Sequence, residues 1–333
     1  MKKVPIITFL IGVLLSACST STPIPPTITP IPVPTATSTS EPEVNMNPEV
    51  VLEITNQGDI MQDPYGIAIN SAGNIYVNDA GKSRVLIFDP EGNLLDKWEA
   101  KGSGEGEFNS LGFGGLAIDS NDNVFIVDNE NFRIQKFDSE GNFITMWGSE
   151  GKGDGQFIRA IGIATDKDGN VYVTDDAVPY VQKFDNDGNF LMKFGGDGVS
   201  KGQFRHATGI AVDANGNIFV ADYENKRVQK FDADGNVLVA WFMGSDIKVK
   251  GTPEAVAVDT HGNVYVTDYD LGRMQVFDNN GEFLWAWGDG DFANAPLKRP
   301  VGIAFDANGR IYITNQAGGN VLAFELPSGW GHF

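Results

Sequence analysis

The sequence predicts an all-β fold, a six-bladed β-propeller in which every blade is a four-stranded antiparallel sheet. One unit recurs six times from residue 49 onward, and the first strands of successive copies lie 49, 47, 47, 46 and 47 residues apart. Each copy holds four short runs rich in β-branched and aromatic residues, which Gly, Asn and Asp separate. Such runs are typical of short strands joined by tight turns, and six four-stranded repeats favour a closed propeller.

The first strand of each copy is predicted to face the central channel. Its six versions are YGIAIN, GGLAID, IGIATD, TGIAVD, EAVAVD and VGIAFD. An alanine holds the same position in all of them, and because inner strands converge on the axis, we expect this small residue to lie at the narrow channel. The first residues of the six versions are expected to form the channel rim: Tyr65, Gly114, Ile161, Thr208, Glu254 and Val301.

The segment KFDADGN at 230–236 raises the question of a calcium site, because Asp232 and Asp234 have the spacing that opens an EF-hand loop. That loop also needs Gly at its sixth position and an acid at its twelfth, where this chain has Val237 and Met243. Five of the six copies carry a similar segment. We therefore interpret it as the turn between the third and fourth strands, in which Asp caps the turn and Gly supplies a positive φ.

The outer parts of the repeat predict how the blades pack and how the ring closes. Five copies end in an aromatic residue that we expect between neighbouring blades: Trp98, Trp147, Phe194, Trp241 and Trp287. Four acid–arginine pairs at an offset of five are expected to brace loops: Asp79/Arg84, Asp128/Arg133, Asp222/Arg227 and Asp268/Arg273. The sixth copy lacks an outer strand, and an apolar run at 49–55 can supply it and remove the open edge. Residues 49–333 are therefore predicted to form one domain.

The first 48 residues predict export and tethering rather than folded structure. Residues 1–18 combine two lysines, a mostly apolar run of 14 residues that is too short to span a bilayer, and the end LSAC. This end resembles a bacterial lipobox, with Cys18 as the lipidated mature N-terminus; an ordinary signal peptide or an uncleaved anchor is the alternative. Residues 19–48 hold eight Pro and eleven Ser or Thr, which predicts a disordered tether. We expect an extracytoplasmic monomer that touches the cell-envelope membrane only through its lipid.

Composition and histidine placement disfavour several classes of partner and cofactor. The chain has 24 Lys or Arg against 44 Asp or Glu, a net charge of −20, and loss of the two leader lysines would make it −22. Nucleic acid and anionic lipid favour basic faces, so neither is an expected partner. Cys18 is the only cysteine, which excludes a disulfide within the chain. His206, His261 and His332 fall in separate parts of the predicted fold, so no metal site is assigned, and no cofactor is indicated.

The repeat resembles the NHL repeat. Residues 209–232, GIAVDANGNIFVADYENKRVQKFD, are close to the pattern of that family, and the resemblance extends over all six copies. The third copy departs from the pattern at Pro179 and Tyr180, and the sixth at Asn315 and Asn320. The resemblance implies a propeller but no single function, because the family includes RNA-binding domains, sensor domains of bacterial kinases and amidating lyases. Function must therefore come from the site.

The loops that enter the first strand and those that join the second strand to the third share one face of such a propeller. Their residues vary between copies while the framework does not, so this face is the predicted binding surface. Exposed aromatic residues beside arginines suit contacts with a peptide or a glycan. The candidate ligand-binding residues are Tyr65, Phe113, Arg159, Tyr180, Arg205, His206, Tyr223, Glu254, Tyr269 and Arg299.

Two functions remain open at this point. The favoured hypothesis is a membrane-tethered scaffold or sensor that recognises a protein, peptide or glycan through this face and is not an enzyme. The alternative is a metal-dependent hydrolase or lyase that acts in the central channel. Glu254, with Asp63 nearby, is the only hint of such chemistry, and no catalytic residue is assigned.

Overall fold

The computed structural model describes residues 48–55, 61–244, 251–288 and 297–326. These ranges belong to one compact unit, Asn45–Phe333. The predicted signal peptide, the lipidation site Cys18, His332 and all but the last residue of the predicted tether lie outside the described residues. Within those ranges, no helix is long and apolar enough to cross a membrane.

Six four-stranded antiparallel sheets form the six blades, which confirms the predicted fold class. The described chain starts with β1 (Glu49–Ile54) and then enters the first blade. Blades one to three contain β2 (Pro64–Ile69), β3 (Ile75–Asp79), β4 (Arg84–Phe88) and β5 (Leu94–Trp98), then β6 (Leu116–Ile118), β7 (Val124–Asp128), β8 (Arg133–Phe137) and β9 (Phe143–Trp147), then β10 (Ala160–Thr165), β11 (Val171–Asp175), β12 (Tyr180–Phe184) and β13 (Phe190–Gly195).

Blades four to six repeat the same order from the inner to the outer strand. They contain β14 (Ala207–Val212), β15 (Ile218–Asp222), β16 (Arg227–Phe231) and β17 (Val237–Phe242), then β18 (Pro253–Val258), β19 (Val264–Asp268), β20 (Arg273–Phe277) and β21 (Phe283–Trp287), then β22 (Pro300–Phe305), β23 (Ile311–Asn315) and β24 (Asn320–Glu325). In the described ranges the only helical segments are short 3-10 turns at Ala80–Lys82, Asn129–Asn131 and Gln316–Gly318.

The N-terminal strand closes the ring, as the sequence predicts. β1 pairs antiparallel with β24, and Ile54 lies opposite Val321. Ile54 is buried in one cluster with Phe88 of blade one, so the completed blade six packs against blade one. The edge of β24 is therefore paired with β1 and does not lie open, which removes an aggregation-prone edge.

The outer-strand aromatic residues lie between blades, as predicted. Each one contacts the phenylalanine at the end of the third strand of the following blade. The ring centroids are 5.3 Å apart for Trp98 and Phe137, 5.8 Å for Trp147 and Phe184, 4.9 Å for Phe194 and Phe231, 5.9 Å for Trp241 and Phe277, and 4.4 Å for Trp287 and Phe324. Aromatic pairs at such separations add to the stabilisation from buried area, so the row joins the blades around the ring.

The inner-strand alanines do not line the channel, which corrects the prediction made for them. Ala211 packs into the apolar cluster between blades four and five. The channel wall comes instead from the preceding two positions, as with Gly209 and Ile210. A Cβ on Gly209 would lie 2.5 Å from the Cα of Ala255, so adjacent inner strands meet backbone to backbone at the glycine. The close approach of the inner strands therefore requires a very small residue at the glycine position, and the alanine two residues later packs against the next blade.

The recurring Asp–Gly–Asn segment is a turn, as predicted, and not the start of a calcium loop. One carboxylate oxygen of Asp232 accepts the backbone N–H groups of Asp234 and Asn236 at 3.0 and 2.8 Å. Gly235 has a φ of 80°, which an L side chain rarely adopts. The hydrogen bond from the Asn236 side chain holds the pKa of Asp232 below its usual range. The carboxylate is thus used by the turn itself.

The acid–arginine pairs are loop braces, as predicted. Nε of Arg227 donates to Oδ2 of Asp222 at 2.7 Å. The other guanidinium nitrogens of Arg227 donate to the carbonyls of Val199, Ser200 and Gln203 at 2.7–2.9 Å. The equivalent Nε–Oδ2 distances in the other three pairs are 2.7, 2.8 and 2.9 Å. These buried charge-assisted bonds fix the loops that lead to the inner strands and so position the rim.

Candidate functional site

The rim of the channel opens into a cavity to which all six blades contribute. The cavity measures about 170 Å³ and is lined by Tyr65, Phe113, Ile161, Asp176, His206, Thr208, Tyr223, Glu254, Tyr269 and Gln316. A second cavity of about 80 Å³ lies between the inner strands. The two share Tyr65, Ile161 and Glu254, which therefore lie where the mouth meets the channel. We call the larger cavity the channel mouth.

Six of the ten predicted candidate residues line the channel mouth: Tyr65, Phe113, His206, Tyr223, Glu254 and Tyr269. Two more lie behind it. Arg299 places its guanidinium carbon 5.6 Å from the ring centroid of Tyr269, and Arg159 forms an ion pair with the carboxylate of Asp176. Both arginines thus support the lining from outside the cavity.

The other two candidates, Tyr180 and Arg205, lie away from the channel mouth. Tyr180 begins β12, a third strand, which is farther from the axis than the strands that reach the rim. Its ring contacts the Nζ of Lys193 at 5.2 Å from the centroid. Arg205 has an exposed side chain, and its backbone N–H donates to Asp222 at 2.8 Å. The structure does not place either residue in the candidate site.

Tyr65 and Glu254 form the polar centre of the site. The hydroxyl of Tyr65 donates a hydrogen bond to Oε1 of Glu254, and both side chains are buried. Burial raises the pKa of Tyr65 well above its usual value. Burial also raises the pKa of Glu254 to about 7; the hydrogen bond from Tyr65 opposes this rise, and the charges of Asp176 and Asp270 add to it. Glu254 therefore exchanges its proton near neutral pH.

The surroundings explain why burial dominates the pKa of Glu254. The rim residue is the second residue of its inner strand in blades one, three, four, five and six. Three of these, Tyr65, Ile161 and Val301, form a small buried cluster, and Tyr269 packs against it. One carboxyl group thus faces mostly apolar neighbours, a setting that disfavours its charged form.

Aromatic rings form the side walls of the channel mouth. Phe113 is 51% exposed, and its ring centroid lies 5.4 Å from that of Tyr65. The hydroxyl of Tyr269 donates to Oε1 of Gln316 at 3.0 Å, which fixes the orientation of its ring. Tyr223 also lines the cavity, so four rings surround the carboxyl group. Such walls offer flat π surfaces to an incoming group.

A second polar group beside the mouth was not predicted. Nζ of Lys226 donates to Oγ1 of Thr252 at 2.7 Å and lies 3.8 Å from Oδ2 of Asp270. The same nitrogen lies 4.7 Å from the ring centroid of Tyr223. Lys226 has a φ of 56°, at the loop position that Ser83 occupies in blade one. The sequence signal for Lys226 was that the residue at this left-handed loop position differs between copies. Its hydrogen bond to Thr252 depends on how the blades are placed around the ring, which no single repeat shows.

The described residues do not assemble a metal site. In those ranges, no group of three or more His, Cys, Asp or Glu is placed to hold an ion. Nδ1 of His206 lies 3.6 Å from Oε1 of Glu224, and His261 lies in the turn that Asp259 caps. Among the residues that the structure describes, no metal-binding donor set is therefore gathered around Glu254. The arrangement offers hydrogen bonding, π contacts and proton exchange.

Comparisons of sequence agree with the fold. The sequence model of the NHL repeat matches residues 204–231, and that of a 6-bladed beta-propeller domain matches residues 51–145. The resemblance to NHL-type propellers is therefore confirmed. A search of curated protein sequences found no significant match.

Solved structures share the architecture at low sequence identity. A streptogramin B lyase is 15% identical, with 85% of this chain and 99% of its own covered and a TM-score of 0.60. A gluconolactonase from Xanthomonas campestris is 17% identical, with 84% and 95% covered and a TM-score of 0.58. A structural genomics protein from Bacteroides thetaiotaomicron is 16% identical, with 84% and 72% covered and a TM-score of 0.62. At these identities the likeness shows the fold alone.

Proposed function

We propose that this six-bladed NHL-type propeller is an extracytoplasmic binding domain that recognises a protein, peptide or glycan through the channel mouth. The observation that supports it is the cavity itself, in which residues from all six blades converge on one polar centre. The rigid ring holds the rim residues in place, so the ordering cost on binding is low.

The size and lining of the channel mouth favour recognition of one group of a larger ligand. Pockets for drug-sized ligands measure about 300–1,000 Å³, whereas this cavity measures about 170 Å³. A single side chain or one sugar ring suits that volume. The rest of the ligand would lie on the surrounding loops, where Phe113 and His206 are exposed.

The proposed setting is the outer surface of a membrane. Lipidation at Cys18 would attach the chain, and residues 19–48 would serve as a spacer. In an extended polyproline conformation of about 3.1 Å per residue, this spacer would reach on the order of 90 Å. The propeller could then sample partners well beyond the membrane surface, as a scaffold or a sensor requires.

Peptide and glycan arrays probed with the purified full-length chain test the proposal. Affinities of the hits are then measured for the wild type, for Phe113→Ala and for Leu238→Ala. Both side chains are 51% exposed, but Leu238 lies on the outer strand β17, far from the rim. We expect Phe113→Ala to weaken binding about tenfold or more and Leu238→Ala to leave it unchanged. If the array hits bind both variants with the same affinity as the wild type, this would contradict recognition through the channel mouth.

Glu254 supports a second candidate function, an acid–base enzyme. Its carboxyl group has a pKa of about 7 and touches a phenol where the mouth meets the channel. A general acid or base works best when its pKa lies near the operating pH. The likeness of fold to a lyase and a gluconolactonase makes elimination and lactone hydrolysis reasonable reactions to assay.

A panel of lactones and streptogramin B compounds tests this candidate. Turnover that Glu254→Gln abolishes and a chelator leaves intact would support acid–base catalysis. Turnover that a chelator abolishes would instead support the metal-dependent hydrolase or lyase. If no member of the panel is turned over, the binding function stands alone.

A further inference from the structure

We infer that the channel mouth recognises the side chain of a lysine presented by a peptide. This inference rests on the proposed binding function and names the group that the site takes. Three features support it: the chemistry of the residues that line the mouth, the depth at which the carboxyl group of Glu254 lies, and the contacts that the neighbouring cations already make with other groups.

The lining combines π faces with negative charge. Four of the ten lining residues carry aromatic rings, two carry carboxyl groups, and none is Lys or Arg. A cation is attracted to the face of an aromatic ring within about 6 Å of its centroid, and the attraction increases when water is excluded. An ammonium group is therefore a better match for this lining than an anion.

The depth of Glu254 selects a long, narrow group. Its side chain is buried at the junction of mouth and channel, below the exposed ring of Phe113. An ammonium at the end of a flexible four-carbon stem can reach such a carboxyl group while the stem packs on apolar walls. Ile161 and Phe113 supply those walls. An amino sugar carries its nitrogen directly on a bulky ring and suits this depth less well.

The cations near the site already have partners. Lys226 donates to Thr252 and lies beside Asp270, Arg159 pairs with Asp176, and Arg299 stacks on Tyr269. Oε1 of Glu254 accepts the neutral hydroxyl of Tyr65, and Lys226, whose charge lowers the pKa of Glu254, is itself engaged with Thr252 and Asp270. A hydrogen bond between an ammonium and a carboxylate is charge-assisted and about twice as strong as a neutral one, so Glu254 is the group of the mouth that a ligand ammonium would bind.

Several ionisable groups face Glu254 and set the pH dependence of such binding. They are Tyr65 on β2, Asp176 after β11, Tyr223 and Lys226 between β15 and β16, Tyr269 and Asp270 after β19, and His206 before β14. Below the pKa of about 7, Glu254 becomes neutral and its attraction for an ammonium is lost. We therefore expect lysine binding to weaken as the pH falls from 8 to 5.

The test is calorimetric titration of the full-length chain at pH 8 with two end-blocked pentapeptides, one with a central lysine and one with Nε-acetyl-lysine. The variants are Glu254→Gln and, as a control with the same charge change on an exposed turn, Glu282→Gln. We expect the lysine peptide to bind about tenfold or more tightly than its acetylated counterpart. Glu254→Gln should abolish this preference, and Glu282→Gln should retain it. Phe113→Ala, at a position that is 51% exposed, should weaken binding of the lysine peptide as well.

The remaining outcomes separate this inference from the proposed function. Equal binding of the two peptides, or tighter binding of glucosamine than of the lysine peptide, would overturn lysine recognition and leave the mouth as a binding site. Absence of binding by either peptide, while array ligands still depend on Phe113, would overturn lysine recognition alone. Array ligands that are insensitive to Phe113→Ala would overturn the proposed function itself.

Discussion

Tyr65 in blade one donates its phenolic hydrogen to the carboxyl group of Glu254 in blade five, 189 residues along the chain. Blades one and five are not neighbours, so this bond crosses the ring at the channel rim. Both side chains are buried, so this hydrogen bond contributes to the packing of the ring as well as to the site. The ionisation of Glu254 should therefore appear in the stability of the whole ring.

The first prediction is that Glu254→Gln changes how stability depends on pH. Glu254 has a pKa of about 7 in the folded chain, against an ordinary value of 4.5. An acid with a raised folded pKa contributes stability that is fully present below pH 4.5 and is lost as pH rises through about 7. The loss is on the order of 3 kcal/mol. Urea unfolding is measured from pH 4 to pH 8. Over this range, the free energy of unfolding of Glu254→Gln should rise relative to that of the wild type by this amount.

The comparison between variants is essential because other buried acids act in the same direction. Burial raises the pKa values of Asp79, Asp175 and Asp222, and these contributions are common to both proteins. Glu282→Gln, at an exposed turn, should track the wild type across the same range. Parallel curves for Glu254→Gln and the wild type would show that Glu254 does not titrate as described.

The second prediction concerns the other partner of the bond. The hydroxyl of Tyr65 opposes the effect of burial on Glu254, so Tyr65→Phe should raise the pKa of Glu254 further. The lost bond should also cost about 1–3 kcal/mol at pH 8, where a buried acceptor is left without its donor. Carbon-13 NMR of the glutamate carboxyl groups measures the midpoint. Tyr269→Phe removes a hydroxyl that donates to Gln316 instead and should leave the midpoint near 7.

The fold was largely predictable because its determinants are local and periodic. The Asp-capped turn at Asp232, the brace between Asp222 and Arg227, and the missing outer strand are all visible in one repeat or in the comparison of repeats. The inner-strand alanines were assigned wrongly because Gly209, Ile210 and Ala211 are consecutive and only the register shows which of them faces the channel.

The site was predictable only in part, for a different physical reason. Rim residues such as Tyr65 and Glu254 stand out because they vary at a fixed position of the repeat. Their hydrogen bond depends on the diameter of the ring and on which blades face each other, and no local pattern encodes either. The group formed by Lys226, Thr252 and Asp270 was missed because its members come from three separate loops.

The third prediction tests the close approach of inner strands. A Cβ on Gly209 would lie 2.5 Å from the Cα of Ala255 and 2.6 Å from the carbonyl oxygen of Glu254. Both neighbours are backbone atoms and cannot move aside cheaply, so Gly209→Ala should cost about 3 kcal/mol or more in the free energy of unfolding. A Cβ on Gly104 would meet only the flexible side chain of Glu107, whose Oε2 would lie 3.0 Å away. Gly104→Ala should therefore stay within about 0.5 kcal/mol of the wild type, and equal losses in the two variants would contradict the packing described.

The fourth prediction is that β1 is required for a stable ring. A chain that lacks residues 1–55 loses the outer strand of blade six, uncovers the edge of β24, and loses the contact of Ile54 with the cluster around Phe88. We expect its melting temperature to fall by at least about 10 °C and its solutions to aggregate through the open edge. A chain that lacks only residues 1–44 keeps β1 and should melt like the full-length protein. Adding a synthetic peptide of residues 45–55 to the shorter chain should restore much of the loss, whereas equal melting of the two truncated chains would show that the ring does not depend on this strand.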